Sequence, residues 1–230
     1  MHIKRIEPAT GKKGYVKVSA AWEEHEANLT PQDWSDLMED PESPEFLLSQ
    51  EVAFRRSLRP ESRIELPELR ELIVEDELVK AREAGLHLLD IRMRTRKEVR
   101  DKLKEKDFSD RAIEATLESL ASYGFLDDEK FAQAYLKERI RQRGSRAIEQ
   151  ELAQKGVDRE IAQDLLEDMS DAEESHALAA CRKKVLSLKN RGLEENKIRE
   201  KVYRFLLSRG YDYNLIKKVY NMTLEQAEEE

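Results

Sequence analysis

The feature that most constrains the fold is a turn sequence that occurs three times. The copies run Leu103–Ser109, Leu152–Asp158 and Leu206–Asp212. Each begins with an anchor leucine and has, four residues later, a residue that can adopt the left-handed conformation that ends a helix. An apolar residue and a strong N-cap residue follow, so each copy predicts the end of one helix and the start of the next. In order, these three positions are Asp107, Phe108 and Ser109, then Gly156, Val157 and Asp158, then Gly210, Tyr211 and Asp212.

The spacing of the copies predicts tandem repeats of three helices. The anchor leucines lie 49 and 54 residues apart, and an apolar residue precedes each by one helical turn (Val99, Ile148 and Val202). Upstream of each anchor there is room for one more helix, over residues 78–93, 128–140 and 175–188. We therefore predict a mainly α fold in an elongated array, with repeats at residues 78–122, 127–169 and 175–224. Small-angle scattering should then give a radius of gyration above the roughly 17 Å of a compact chain of this length.

The first 77 residues have a different pattern and predict a small β-hairpin region that leads into a helix. Residues 3–7 and 15–20 alternate polar and apolar side chains around a glycine-containing turn, which is typical of a hairpin. Two strands alone are only marginally stable, and residues 52–54 are a candidate third strand. Residues 36–49 contain prolines and acids and predict a loop, while Pro67 predicts the first turn of a helix. At the other end, residues 225–230 form an acidic tail that we expect to fray.

The composition and the motifs of the sequence exclude several function classes. The sequence has no run of 18 apolar residues, and its single cysteine, Cys181, suits a reducing cytoplasm and core packing. The four histidines lack metal-ligand spacing, and no phosphate-binding loop is present. The acidic pair Asp127–Asp128 precedes a predicted helix, where carboxylates cap the positive end. We therefore expect a cytoplasmic monomer with no cofactor, no metal and no catalytic residues, and so not an enzyme.

Basic side chains concentrate at the corner between the first and second helices of each repeat. We call the segments 92–106, 130–146 and 182–191 the first, second and third basic corners. Each carries a net charge of +5, in a chain whose net charge is −8. The helix dipole favours some cations there, but an excess of five indicates a surface for a polyanion or an acidic protein. The candidate binding residues are Arg94, Arg96, Lys97, Arg100, Arg139, Arg141, Arg143, Arg146, Arg182, Lys183, Lys189 and Arg191.

Three segments of the sequence resemble the RecX family of recombination regulators. They are Arg94–Leu103, Gly124–Ala132 with its Leu-Asp-Asp-x-x-Phe-Ala run, and Arg146–Val157. The third repeat is also similar, so the resemblance covers roughly residues 75–224, whereas residues 20–50 are longer and more acidic than the family's lead. The resemblance implies tandem three-helix repeats and a non-enzymatic modulator of RecA. Such a protein binds the RecA filament on single-stranded DNA and typically limits its activities.

Two other functions remain compatible with the residues. Three-helix units with tight turns could place a helix in the major groove of duplex DNA, as helix-turn-helix proteins do. Sparse Asn and Gln side chains and the acidic overall charge argue against base reading. The repeats could also form a helical scaffold for some other protein.

Overall fold

The computed structural model describes residues 1–21 and 44–228, and begins with a three-stranded antiparallel sheet. The strands are β1 (His2–Pro8), β2 (Tyr15–Ala21) and β3 (Glu45–Ser49), in the order β1-β2-β3. Val18 in the central strand pairs with Ile6 on one side and Phe46 on the other. The predicted hairpin is therefore confirmed.

The predicted third strand was wrong, because residues 52–54 lie in a short helix, α1 (Gln50–Arg55). Ser49 ends β3 and caps this helix, since its side chain accepts a hydrogen bond from the Val52 backbone N–H at 3.3 Å. The third strand comes instead from residues 45–49, which belonged to the predicted loop. The rest of that loop, residues 36–43, lies outside the described residues.

Helix α2 (Leu66–Ile91) links the sheet to the repeats. It begins with Pro67 in its first turn, as predicted, but runs as one helix through the predicted boundary at residues 77 and 78. Leu69, Leu72 and Val79 join a buried cluster with the sheet residues Ile3 and Val18. The first half of the helix therefore packs on the N-terminal sheet, and its second half is the first helix of repeat 1.

The remaining helices fall into the three repeats. They are α3 (Arg96–Lys104) and α4 (Asp110–Ser122) in repeat 1, α5 (Asp128–Arg139), α6 (Ser145–Gln154) and α7 (Arg159–Glu167) in repeat 2, and α8 (Ser170–Lys189), α9 (Glu195–Leu207) and α10 (Tyr213–Glu228) in repeat 3. Helix α8 begins five residues before the predicted start. Helix α10 extends to Glu228, so residues 225–228 continue a helix rather than fray. Repeats 2 and 3 each have a separate buried cluster.

The repeated turn is the same structure in all three repeats. Asp107, Gly156 and Gly210 have φ values of 62°, 82° and 85°, in the left-handed region. The backbone N–H of the following apolar residue donates to the carbonyl of the anchor leucine at 3.1–3.4 Å, as in a Schellman motif. Each predicted N-cap side chain accepts a hydrogen bond from the first turn of the next helix. The predicted turn is therefore confirmed down to its hydrogen bonds.

Two compact units make up the chain. The first comprises Met1–Arg92 and Val99–Phe125, and the second comprises Met93–Glu98 and Leu126–Glu230. The first unit contains the sheet and the packing of α2 on α4, where a Cβ built on Gly85 would lie 2.9 Å from Leu120 Cδ1. The second unit contains repeats 2 and 3 together with the start of α3.

Candidate functional site

The candidate residues of the first basic corner are partly engaged inside the protein. Arg94 and Arg96 are half-buried. Lys97 Nζ donates a hydrogen bond to the Gln154 carbonyl at 2.8 Å. Arg100 forms a forked ion pair with Glu114, at 2.7 and 2.9 Å from its Nη2. These side chains therefore stabilise the fold in addition to contributing positive charge.

The second corner divides into engaged and exposed residues. Arg139 and Arg143 both approach Glu151, each with its Nε 3.7 Å from a carboxylate oxygen. Arg146 forms an ion pair with Asp212 at 2.6 Å. In contrast, Arg141 is exposed and has no ion-paired or hydrogen-bonded side-chain partner among residues 1–21 and 44–228.

The third corner is the most accessible of the three. Arg182, Lys183, Lys189 and Arg191 are all exposed, and none of these side chains has an ion-pair or hydrogen-bond partner in the described part of the chain. Arg182 and Lys183 lie on α8 near its C-terminal end, and Lys189 is its last residue. Because unpaired exposed cations keep their full charge available to an anionic partner, this corner and Arg141 are the strongest part of the predicted site.

Two of the engaged corner residues, Lys97 and Arg146, belong to a recurring junction within the second unit. In this junction, the first turn of a second helix contacts the Schellman turn of the following repeat. Thr95 Oγ1 donates to the Lys155 carbonyl at 2.6 Å, and the Gly144 backbone N–H donates to the Arg209 carbonyl at 2.9 Å. Lys155 and Arg209 precede the two turn glycines, so the same position is used twice.

The junction explains why the turn residues differ between repeats. A Cβ built on Gly156 would lie 2.6 Å from Lys97 Cβ, and one on Gly210 would lie 2.3 Å from Ala147 Cβ. Both positions therefore require glycine for space as well as for backbone conformation. The sequence did not reveal the roles of Thr95 and Gly144, because their partners, Lys155 and Arg209, are distant along the chain.

The acidic pair acts as a helix cap at two helices. Asp127 Oδ1 accepts a hydrogen bond from the Lys130 backbone N–H at 2.9 Å, and this bond lowers the pKa of its carboxyl. Asp128 Oδ1 accepts one from the Arg96 backbone N–H at 2.7 Å, at the start of α3. Burial raises the pKa of Asp128, partly offset by that hydrogen bond. The cap interpretation is confirmed for Asp127, and Asp128 has a further structural role that the sequence did not reveal.

The described residues give little support for a reactive thiol, a metal site or a membrane-spanning helix. Cys181 is fully buried, and burial raises the pKa of its thiol, which disfavours the reactive thiolate. No group of three or more His, Cys, Asp or Glu side chains within residues 1–21 and 44–228 could hold a metal ion. No helix in those ranges has the length and apolar character that crossing a bilayer requires.

A small sheet followed by tandem three-helix repeats defines a helical-repeat protein. Models of the first, second and third three-helix domains of RecX match residues 81–120, 127–166 and 172–220. The regulatory protein RecX of Clostridium perfringens (strain SM101) is 35% identical over 170 residues, which are 74% of this chain and 80% of the relative. That of Clostridium botulinum (strain Alaska E43) is 34% identical over 76% of this chain and 82% of its own length. This chain belongs to the RecX family.

Solved structures agree with this fold. A crystal structure of regulatory protein RecX superposes with a TM-score of 0.69 at 22% identity, over 96% of this chain and 98% of that chain. A second, of RecX from Lactobacillus salivarius, superposes with a TM-score of 0.60 at 25% identity, over 65% of this chain and 97% of that chain. The prediction of tandem three-helix repeats in a mainly α fold is confirmed.

Proposed function

We propose that this chain is a non-enzymatic, cytoplasmic regulator that binds the RecA filament on single-stranded DNA and inhibits its recombinase and coprotease activities. It would act in DNA recombination, repair and the SOS response. The observation that carries the proposal is the set of exposed, unpaired cations at the corners of a RecX-family repeat protein. Among the candidate binding residues these are Arg141, Arg182, Lys183, Lys189 and Arg191.

The ion pairs divide the predicted residues into two groups, one with partners inside the protein and one without. Arg100 and Arg146 are paired with carboxylates, which partly neutralise their charge, and Lys97 donates to a backbone carbonyl, so these three cations also make contacts within the protein. The exposed cations form no ion pair or side-chain hydrogen bond with any described residue. A fixed excess of unpaired positive charge is useful chiefly against an anionic partner, such as phosphates or an acidic protein surface. Both would be available on a nucleoprotein filament.

A mobility-shift titration tests this proposal against the two alternatives. The full chain is titrated onto labelled single-stranded and duplex DNA, each with and without RecA and a non-hydrolysable ATP analogue. We expect a further shift of the RecA–single-stranded-DNA complex at lower protein concentrations than any shift of naked duplex. RecA-stimulated ATP hydrolysis, measured in parallel, should fall over the same concentration range.

The other outcomes separate the alternatives. Tight binding to naked duplex, unaffected by RecA, would instead indicate a helix-turn-helix DNA-binding protein. Binding to neither DNA nor the filament would indicate a scaffold for some other protein. Either result would overturn the proposal.

A further inference from the structure

The groove between the second and third helices of repeat 3 has an aromatic wall. It is formed by α9 and α10, has a volume of about 500 Å³, and is lined by Asn196, Arg199, Glu200, Tyr203, Arg204, Leu207 and Tyr213. The rings of Tyr203 and Tyr213 meet edge to face, with centroids 5.7 Å apart. The Tyr213 side chain is 52% exposed and that of Leu207 is 45% exposed. Much of this apolar wall is therefore open to solvent.

The same groove in repeat 2 is closed by polar side chains. Counted from the anchor leucines, Tyr203 and Tyr213 correspond to Glu149 and Arg159. That pair bridges the groove as an ion pair of 3.4 Å, and Gln163 Nε2 also donates to Glu149 at 2.9 Å. The groove of repeat 2 is also smaller, at about 270 Å³.

Repeat 1 follows the pattern of repeat 2. Arg100 occupies the position equivalent to Tyr203, and it forms the forked ion pair with Glu114 on the opposite helix. In place of this polar bridge, repeat 3 has an aromatic pair in which Tyr203 is half-buried and Tyr213 is exposed. The replacement exchanges an ion pair for an edge-to-face aromatic contact and leaves about half of Tyr213 exposed to solvent.

Cations flank the aromatic wall. The Arg199 guanidinium lies over the Tyr203 ring, 5.6 Å from its centroid, and is exposed. Arg204 is exposed beside the groove and is paired with Glu200, one turn earlier on the same helix. Asn196, at the near end of the groove, lies in the first turn of α9, which follows directly from the third basic corner. The groove thus continues the candidate binding surface along the chain.

We propose that this groove binds a nucleotide of single-stranded nucleic acid, with the base stacked against Tyr213 and the phosphates near Arg199 and Arg204. Proteins that bind single strands combine stacking aromatic rings with a cationic groove, and repeat 3 offers both. Duplex DNA does not fit, because its bases are already stacked inside the helix. An acidic peptide would satisfy the arginines but leave the ring face of Tyr213 uncovered. The inference deepens the proposed function, since it assigns part of the filament contact to the DNA strand.

The test measures binding of the full chain to labelled oligothymidine by fluorescence anisotropy. Tyr213→Leu keeps an apolar side chain but removes the ring, Tyr213→Phe keeps the ring, and Tyr123→Leu removes another exposed tyrosine as a matched control. Because stacking one base changes affinity by about 5- to 150-fold, we expect Tyr213→Leu to weaken binding at least fivefold. Tyr213→Phe and Tyr123→Leu should stay within about twofold of wild type, below the range expected for a lost stacking contact. An abasic strand should bind wild type and Tyr213→Leu equally.

Unchanged oligothymidine binding by Tyr213→Leu, an equal loss on the abasic strand, or no binding by wild type would overturn the inference. Inhibition of RecA ATP hydrolysis is measured with the same proteins, to separate this inference from the proposed function. If wild type inhibits RecA while Tyr213→Leu binds single strands normally, only the groove assignment fails. If Tyr213→Leu loses filament binding but keeps single-strand binding, the groove takes protein and the inference also fails. If wild type has no effect on RecA, the proposed function itself fails.

Discussion

At the residue scale, the left-handed position of the repeated turn is occupied by aspartate in one repeat and by glycine in the other two, and the reason is steric. Asp107, Gly156 and Gly210 all have positive φ. The two glycines face the first turn of another helix at a distance that leaves no room for a Cβ. The aspartate shows that a side chain is tolerated at this turn in repeat 1. Conformational strain alone therefore does not decide the residue, and the neighbouring helix does.

Alanine substitutions at four glycines separate strain from crowding. Gly124 and Gly192 have φ values of 74° and 70°, with nothing within 4 Å of a built Cβ, so they report strain alone. We expect Gly124→Ala and Gly192→Ala to cost about 1–2 kcal/mol. Gly156→Ala and Gly210→Ala should cost about 1–3 kcal/mol more, because the added methyl group overlaps Lys97 or Ala147. Denaturant unfolding measures all four, and equal losses would contradict the junction geometry.

Asp128 gives a second prediction at this scale. Its Oδ1 accepts a hydrogen bond from the Arg96 N–H at the start of α3, and an asparagine can supply the same acceptor. We expect Asp128→Ala to lower the free energy of unfolding by about 1 kcal/mol and Asp128→Asn to lower it less. Both variants should retain RecA inhibition at temperatures where they are folded. Selective loss of inhibition in the folded Asn variant would give Asp128 a functional role instead.

At the element scale, the recurring unit is the turn together with the helix start that contacts it. Thr95 is fully buried and serves two helices. Its Oγ1 caps α3 by accepting from the Glu98 N–H at 3.1 Å, and it donates to the Lys155 carbonyl next to the Gly156 turn. One hydroxyl thus holds a helix start and the junction at the same time.

Replacing this hydroxyl measures the strength of the junction. Thr95→Val keeps the shape of the side chain but leaves the Lys155 carbonyl and the Glu98 N–H at the start of α3 without this partner. We expect a loss of about 1–3 kcal/mol in the free energy of unfolding. Thr95→Ser retains the hydroxyl and should lose clearly less. A Val variant as stable as wild type would show that the two hydrogen bonds contribute nothing net.

The elements that the sequence predicted correctly are those decided by local chemistry. Glycine, N-cap and apolar residues within seven positions predict each Schellman turn, and the turn at Gly156 has every predicted feature. The predicted third strand and the predicted boundary at residues 77 and 78 were wrong, because both depend on packing against the sheet. The structural roles of Thr95 and Gly144 were missed for the same reason, since their partners are distant in sequence. The sequence predicted the basic corners from their charge, but it could not predict which of their cations have partners within the protein.

At the scale of the whole molecule, the negative net charge does not describe the charge of the repeats. The chain carries 49 acidic and 41 basic side chains, for a net charge of −8. Residues 22–43, outside the described part, contain eight acidic side chains and no basic ones. All other residues together are therefore balanced in charge. An acidic total is consequently no argument against a polyanionic target for the basic corners.

Salt dependence distinguishes the two anionic targets. If the exposed corner cations contact phosphates, the logarithm of single-strand affinity should fall with the logarithm of salt concentration, by about 0.7 per phosphate contact. Reversing Lys189 and Arg191 should then make that slope shallower. If the corners contact acidic protein instead, naked-strand affinity should be weak and its slope should not change in the variant, while filament binding is still lost. Anisotropy titrations over a range of salt concentrations measure both quantities.

The most direct test of the account measures inhibition of RecA ATP hydrolysis on single-stranded DNA by two charge-reversed variants. The first reverses Arg141, Lys189 and Arg191 to Glu. The second reverses Lys4, Lys13 and Arg59 to Glu; these residues are also exposed but lie in the N-terminal part of the first unit. Both change the net charge by the same amount, and circular dichroism should show unchanged helix content in each. The account predicts that the first variant loses inhibition and the second keeps it. Full inhibition by the first variant, or equal loss in both, would contradict the claim that the basic corners carry the function.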